Sequence, residues 1–135
     1  MPDFQIKDTV LIRTLNEDAP HITVPDGITR IEDEAFWNCV ALQSIEFPKS
    51  LRSVGEYSFR NCRALQTIVF PQGMKHIGYR SFYACRELKI AVIPASVTEI
   101  ERSAFEICPL LTILAPKGSH AETYAKKNGI KFQAI

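Results

Sequence analysis

The chain has 135 residues, 16 basic and 15 acidic side chains, a formal net charge of +1 and 46% apolar content. That balance lacks the basic excess on which phosphate-neutralising nucleic-acid binders depend, so nucleic acid is not an expected partner. No apolar run approaches the ~18 residues of a membrane span, and Met1 to Asp8 carries neither the basic nor the apolar region of a secretory leader.

Phe4, Ile6, Val10, Leu11 and Ile12 give short strand-like runs, and Asn16-Glu17-Asp18-Ala19-Pro20 reads as a polar turn. Residues 1–20 therefore form an expected N-terminal capping segment, because the end unit of a stack must depart from the repeat to close it. From His21 a period of 23 residues takes over. Pro25, Pro48, Pro71 and Pro94 are in register, as are Phe36, Phe59, Phe82 and Phe105. Cys39, Cys62, Cys85 and Cys108 follow, then Leu42, Leu65, Leu88 and Leu111. A fixed period of this size marks a stacked-repeat protein whose units bury their apolar sides only against each other. Residues 21–112 hold four such units within a single domain.

Each unit divides in two. In Leu42-Gln43-Ser44-Ile45-Glu46-Phe47 the alternation puts Leu42, Ile45 and Phe47 inside and Ser44 and Glu46 outside, as a strand requires. Pro48 has no backbone donor and suits the strand end. The second half, from Leu51 through Val54, Phe59 and Cys62 to Leu65, is apolar or small every three or four positions, which predicts a short helical or 3₁₀ turn. Gly55 and Gly78 read as tight bends. Residues 113–135 form an expected C-terminal cap of strand, helix and strand. Ser119-His120-Ala121-Glu122 is a capping box, Asn128-Gly129 a left-handed stop, and Ile130, Phe132 and Ile135 the final strand. Pro116 falls one residue short of the period.

The four cysteines share one repeat position, which favours a ladder of buried thiols over a disulfide framework or a zinc site. There is no C-x-x-C pair. His21, His76 and His120 occupy unrelated repeat positions with no acidic partner at a motif spacing, so no catalytic residue, metal ligand or cofactor is expected.

The outward positions of successive strands are the informative surface. One column reads His21, Ser44, Thr67, Ile90 and Ile113, and the next Thr23, Glu46, Val69, Val92 and Ala115. Strands lie about 4.8 Å apart, so Val69, Ile90, Val92, Ile113 and Ala115 are expected to merge into one apolar patch. Exposed contiguous apolar area marks interaction sites. The competing readings are that β-branched residues simply suit strands, or that the C-terminal cap folds over them.

The pattern I-x-x-x-A-F-x-x-C-x-x-L followed by I-x-F-P, complete at Ile31 to Leu42, resembles the BspA-like class of leucine-rich repeat proteins. Ile100 to Leu111 repeats its first part, while Ser58 and Ser81 replace the alanine in the two middle copies. The segment Lys117 to Lys127 also looks like a terminal segment of that family, and the resemblance covers about residues 21 to 135. It implies an α/β solenoid of leucine-rich-repeat type: a right-handed superhelix with a concave parallel sheet and short helical turns on the convex side. The family is typical of host-associated bacteria and some protists, often as large surface proteins implicated in adhesion.

The expected function is a non-catalytic protein-interaction module. Its expected binding face is formed by Ser44, Glu46, Thr67, Val69, Ile90, Val92 and Ile113, and its partner is a host protein or a second copy of the chain. The alternatives are a self-associating surface unit and, last, a thiol-based redox protein. The cytoplasm is the expected compartment if Met1 is the native start, and the cell surface or exterior if the chain is a trimmed piece.

Overall fold

The computed structural model describes residues 3–135, so Met1 and Pro2 of the expected N-terminal cap lie outside the described residues. A hairpin of β1 (Phe4–Lys7) and β2 (Val10–Thr14) comes first. Each unit then contributes a three-residue strand and a two-residue strand. These are β3 (His21–Thr23) and β4 (Arg30–Ile31), then β5 (Ser44–Glu46) and β6 (Ser53–Val54). They continue as β7 (Thr67–Val69) and β8 (His76–Ile77), then β9 (Ile90–Val92) and β10 (Glu99–Ile100). The chain ends in β11 (Thr112–Ala115), α1 (His120–Lys127) and β12 (Lys131–Ala134).

The strands sort into two sheets along the stack. One has the order β1-β2-β4-β6-β8-β10 and the other β12-β11-β9-β7-β5-β3. Every pairing is parallel except that of β1 with β2. The molecule is thus a parallel β-solenoid, and its turns superimpose repeat position on repeat position.

The core runs up the axis of the stack. Phe36, Phe59, Phe82 and Phe105 stack face to face, with centroids 4.9, 4.9 and 5.3 Å apart and planes within 6° of parallel. This spacing follows from the inter-strand distance, which fixes the rise per repeat. The column is closed edge-on at both ends, by Phe4 of β1 at 6.4 Å from Phe36 and by Tyr124 of α1 at 6.2 Å from Phe105. Phe47 and Phe70 form a second stack at 5.6 Å and meet Phe59 and Phe82 edge-on.

The second half of each unit differs from the expected helical turn. It is a two-residue strand followed by chained turns, and the single helix among the described residues is α1. The reason is where the backbone donors must go. The Glu34, Phe36 and Asn38 amides donate to the Glu56, Ser58 and Arg60 carbonyls of the next unit at 3.0, 2.7 and 2.9 Å; Tyr57, Phe59 and Asn61 repeat all three bonds, and Phe82 and Ala84 two of them. A helix would spend those amides within its own segment. Pointing them along the stack requires two left-handed residues per turn, Glu34 and Asn38, Tyr57 and Asn61, Arg80 and Ala84, Ser103 and Ile107, all with φ between 50° and 62°. Such residues interrupt a right-handed helix, yet the apolar spacing they leave is the same three or four.

Gly55 and Gly78 each open a turn, as expected, their carbonyls accepting from the Ser58 and Ser81 amides at 3.4 and 3.2 Å. Neither has a positive φ. Their lack of a side chain admits the neighbouring turn: a Cβ on Gly78 would lie 2.6 Å from the Gly55 carbonyl carbon, and one on Gly55 would meet the Asp33 backbone nitrogen at 2.7 Å.

Candidate functional site

The long-strand sheet presents two outward rows, fixed by strand register. His21 pairs with Ser44, Ser44 with Thr67, and Thr67 with Ile90, and the row continues through Thr112 to Lys131. The second row holds Thr23, Glu46, Val69, Val92, Leu114 and Gln133. Ser44, Glu46, Thr67 and Val69 are exposed, and Ile90 and Val92 half-exposed. Six of the seven expected face residues therefore stand on this surface together.

Ile113 does not. It is fully buried, pairs with Ala91 and points into the core with Ala115. The physical reason is one missing residue. Six positions separate Leu88 from Pro94 but only five separate Leu111 from Pro116, and a one-residue slip moves every side chain of a strand to the opposite face. Thr112 and Leu114 take the outward places, which the shortened Leu-to-Pro spacing could have revealed. The apolar strip is thus Val69, Ile90, Val92 and Leu114. Val69 is 53% exposed.

The C-terminal segment extends the sheet instead of covering it. β12 lies beside β11 in parallel register, Thr112 to Lys131 and Leu114 to Gln133. α1 packs Ala121 and Ala125 into the end of the core. Its Ser119 hydroxyl accepts from the Glu122 amide at 3.2 Å, while the Glu122 carboxylate accepts from the Gly118 amide at 2.7 Å. The strip is bordered by Ser44, Glu46 and Thr67 on one side and by Lys131 and Gln133 on the other.

The thiols behave as core groups. Cys62, Cys85 and Cys108 each donate to the carbonyl of the phenylalanine 26 residues earlier, all at 3.2 Å. Burial pushes the Cys39 thiol up to about 11, helped by the negative charges of Glu17 and Asp18, and Cys108 up to about 12. Burial also holds Cys62 and Cys85 well above the ordinary thiol range. Nucleophilic thiols need the opposite setting, partly exposed and electropositive.

One cluster escaped the sequence. On the short-strand sheet His76 pairs in register with Glu99. Its Nε2 lies 2.9 Å from Glu101 Oε2 and 3.5 Å from Glu99 Oε1. The separations of 23 and 25 residues carry meaning only once the units are superimposed. At the first unit Arg30 fills the same repeat position and binds Glu32 and Asp33, each at 3.1 Å. Both arrangements are partly exposed polar clusters tying strand to turn.

Residues 15–128 match the family model described as BspA type Leucine rich repeat region, in six copies. No curated protein matches the chain. Among solved structures, a leucine rich cell surface protein from Faecalibacterium prausnitzii A2-165 is similar at 31% identity and a TM-score of 0.68. The match covers 86% of this chain and 37% of that one. The leucine rich repeat protein of T. pallidum is 26% identical with a TM-score of 0.67, over 83% of this chain and 68% of that one. A leucine-rich repeat protein from Bacteroides ovatus ATCC 8483 shares the fold at 24% identity and a TM-score of 0.71, over 87% and 37%. The chain thus spans little more than a third of the first and third of these proteins. Among the described residues no helix is long and apolar enough to cross a membrane.

Proposed function

Because the chain belongs to the BspA type leucine-rich repeat family, we propose that it is a non-catalytic interaction module that binds a protein through the outer face of its long-strand sheet. Leucine-rich repeat proteins commonly mediate protein interaction or adhesion and are generally not enzymes. The face is taken as the concave side of a right-handed superhelix, with residues 1–20 and 113–135 as its caps. Its contact residues are Ser44, Glu46, Thr67, Val69, Ile90 and Val92, with Leu114 in the place expected for Ile113.

The observation that carries this reading is the aliphatic strip, exposed at Val69 and half-exposed at Ile90, Val92 and Leu114, inside a polar frame. An apolar centre with a polar rim is the anatomy of a protein interface, and β12 continues the sheet sideways, leaving the strip uncovered. Buried thiols with raised pKa values count against the redox alternative. The self-associating surface unit keeps one support, the likeness to a protein described as a cell surface protein.

The test is capture and cross-linking from host extracellular protein preparations on immobilised chain. A specific partner should be held by the wild type and lost with Val92→Glu and with Leu114→Glu, both checked by circular dichroism for an unchanged fold. A partner held equally by all three would remove the face from consideration.

A further inference from the structure

A second surface, on the chained turns, is built from different chemistry. The segments 32–42, 55–65, 78–88 and 101–111 contain Arg60, Arg63, Arg80, Arg86 and Arg102 but no lysine, although the chain has as many lysines as arginines. They also hold the only tryptophan and three of the four tyrosines. Arg60, Arg80 and Arg102 join these aromatic side chains into one continuous ladder along the flank of the stack. The Arg60 guanidinium lies 5.3 Å from the Trp37 ring centre, and 5.5 Å from each of Tyr57 and Tyr83. Arg80 lies 5.1 Å from both Tyr83 and Tyr79, and Arg102 5.7 Å from Tyr79. Trp, Tyr and Arg are the residues that dominate the energetics of protein interfaces.

The two ends of the ladder are opposite in charge. Beside Trp37 is an open hollow of about 600 Å³ whose lining includes Glu17, Glu32, Asp33 and Glu34 with Arg13; Arg30 holds Glu32 and Asp33, which leaves Glu17 and Glu34 as its free acids. At the far end Glu101 lies 2.9 Å from His76 and Glu106 4.0 Å from Arg80, and the charge left without a partner is Arg102, exposed and stacked on Tyr79. Among the described residues neither Arg60 nor Arg102 has a carboxylate within ion-pair distance, and neither do Glu17 and Glu34 have a basic side chain. A guanidinium stacked by its face keeps its N–H edge free to donate to a carboxylate.

A surface running from acid through aromatic to arginine is complementary to itself turned end for end. We infer that two copies of this chain pair flank to flank with their stacks antiparallel, Arg102 of each entering the acidic hollow beside Trp37 of the other. The two-fold axis passes near the Arg60–Tyr83 contact, where the aromatic side chains of both copies meet. Every pairing then occurs twice, as an isologous interface requires, and the charges at the two ends fix the antiparallel register. This interface is independent of the sheet face and leaves Val92 free for another partner.

The test is sedimentation velocity over a concentration series for the wild type, Glu34→Arg, Arg102→Glu and an equimolar mixture of the two variants, with thermal melts confirming that each is folded. A wild-type dimer is expected. Each single variant should weaken it at least about tenfold, because two attractive contacts become repulsive. The mixture should recover a heterodimer close to wild-type affinity, since each variant supplies the charge that the other lacks. Trp37 fluorescence gives a second reading: its emission should shift to the blue with concentration in the wild type and in the mixture, but not in either variant alone. A wild type that stays monomeric at the highest concentration reached would overturn the inference. So would a dimer indifferent to both substitutions, or one lost in both variants and not regained on mixing. Val92→Glu should dimerise normally, so a failure here and a failure of the sheet-face reading remain distinguishable.

Discussion

The middle of the stack and its two ends solve different problems with the same ladder. Phe59 and Phe82 have a phenylalanine on each face and are fully buried. Phe36 and Phe105 have one stacked neighbour, and the chain closes their open faces with edge-on aromatics from outside the repeat, Phe4 and Tyr124. In the middle, repetition itself supplies the partner. At the ends the sequence must improvise one, which is why a hairpin and a helix appear only there. The comparison teaches that stability in this fold is a sum over interfaces between turns, so the same substitution should hurt according to how many interfaces it breaks.

Phe59→Ala is the strongest way to break the comparison. It empties a site packed on both sides and should cost about 3–5 kcal/mol, against about 1–2 kcal/mol for Phe4→Ala at the half-buried end. Chemical denaturation of the two variants measures both. Equal losses would mean that the ends are as tightly coupled as the middle.

Alkaline pH sharpens the same contrast through the thiols. In the unfolded chain a cysteine ionises near pH 8.5–9, whereas burial keeps Cys62 and Cys85 neutral far above that. A raised native pKa gives stability that is complete below the unfolded value and lost as pH rises towards the native one, by about 1.4 kcal/mol per pH unit for each thiol. At pH 10 the two central thiols together should have lost about 3 kcal/mol relative to pH 8. Cys62→Ala/Cys85→Ala should remove that part of the slope. An unchanged slope would place those thiols in contact with solvent.

How much of this was legible follows from what repeats. The ladders of Phe, Cys and Leu could be read because the same constraint acts at every turn. The chained turns could not, since left-handed residues such as Tyr57 and Arg80 carry no glycine to announce themselves and reproduce the apolar spacing of a helix. Ile113 departs from the 23-residue period because the lead-in to its strand is one residue shorter. Six of the seven expected face residues lie in strands that keep the period, where alternation alone sets which side chains point outward. The contacts that the Arg60 ladder and the His76 cluster make from turn to turn join residues about 23 to 25 apart, which become neighbours only when turn is laid on turn.

Gly78→Ala tests the closeness of that superposition in the middle of the stack. An added Cβ would meet the carbonyl carbon of Gly55 and the carbonyl oxygen of Val54 at 2.6 and 2.7 Å, backbone atoms that cannot swing aside. The turns must separate locally, at an expected cost of about 2–3 kcal/mol. A neutral result would show that neighbouring turns slide apart freely. The same substitution at Gly27, whose added Cβ would meet nothing within 4 Å, isolates backbone strain, because its φ is +91°.

The smallest expected effect runs the other way. Ser58 and Ser81 occupy the repeat position that holds Ala35 and Ala104 in the outer units. Both are fully buried, and neither hydroxyl has a hydrogen-bond partner. Their backbone carbonyls already accept from Phe36 and Phe59, so the inter-turn ladder does not need the side chain. A buried hydroxyl without a partner forfeits its hydration and gains nothing in return. Ser58→Ala and Ser81→Ala should therefore each stabilise the protein by about 1 kcal/mol. The middle would then match the ends at this one position, and the melting temperature of the double variant should rise by the sum of the two shifts if the sites act independently. A loss of stability would mean that the hydroxyls hold a buried water between the turns, and that the two serines are part of the middle's cohesion instead of a flaw in it.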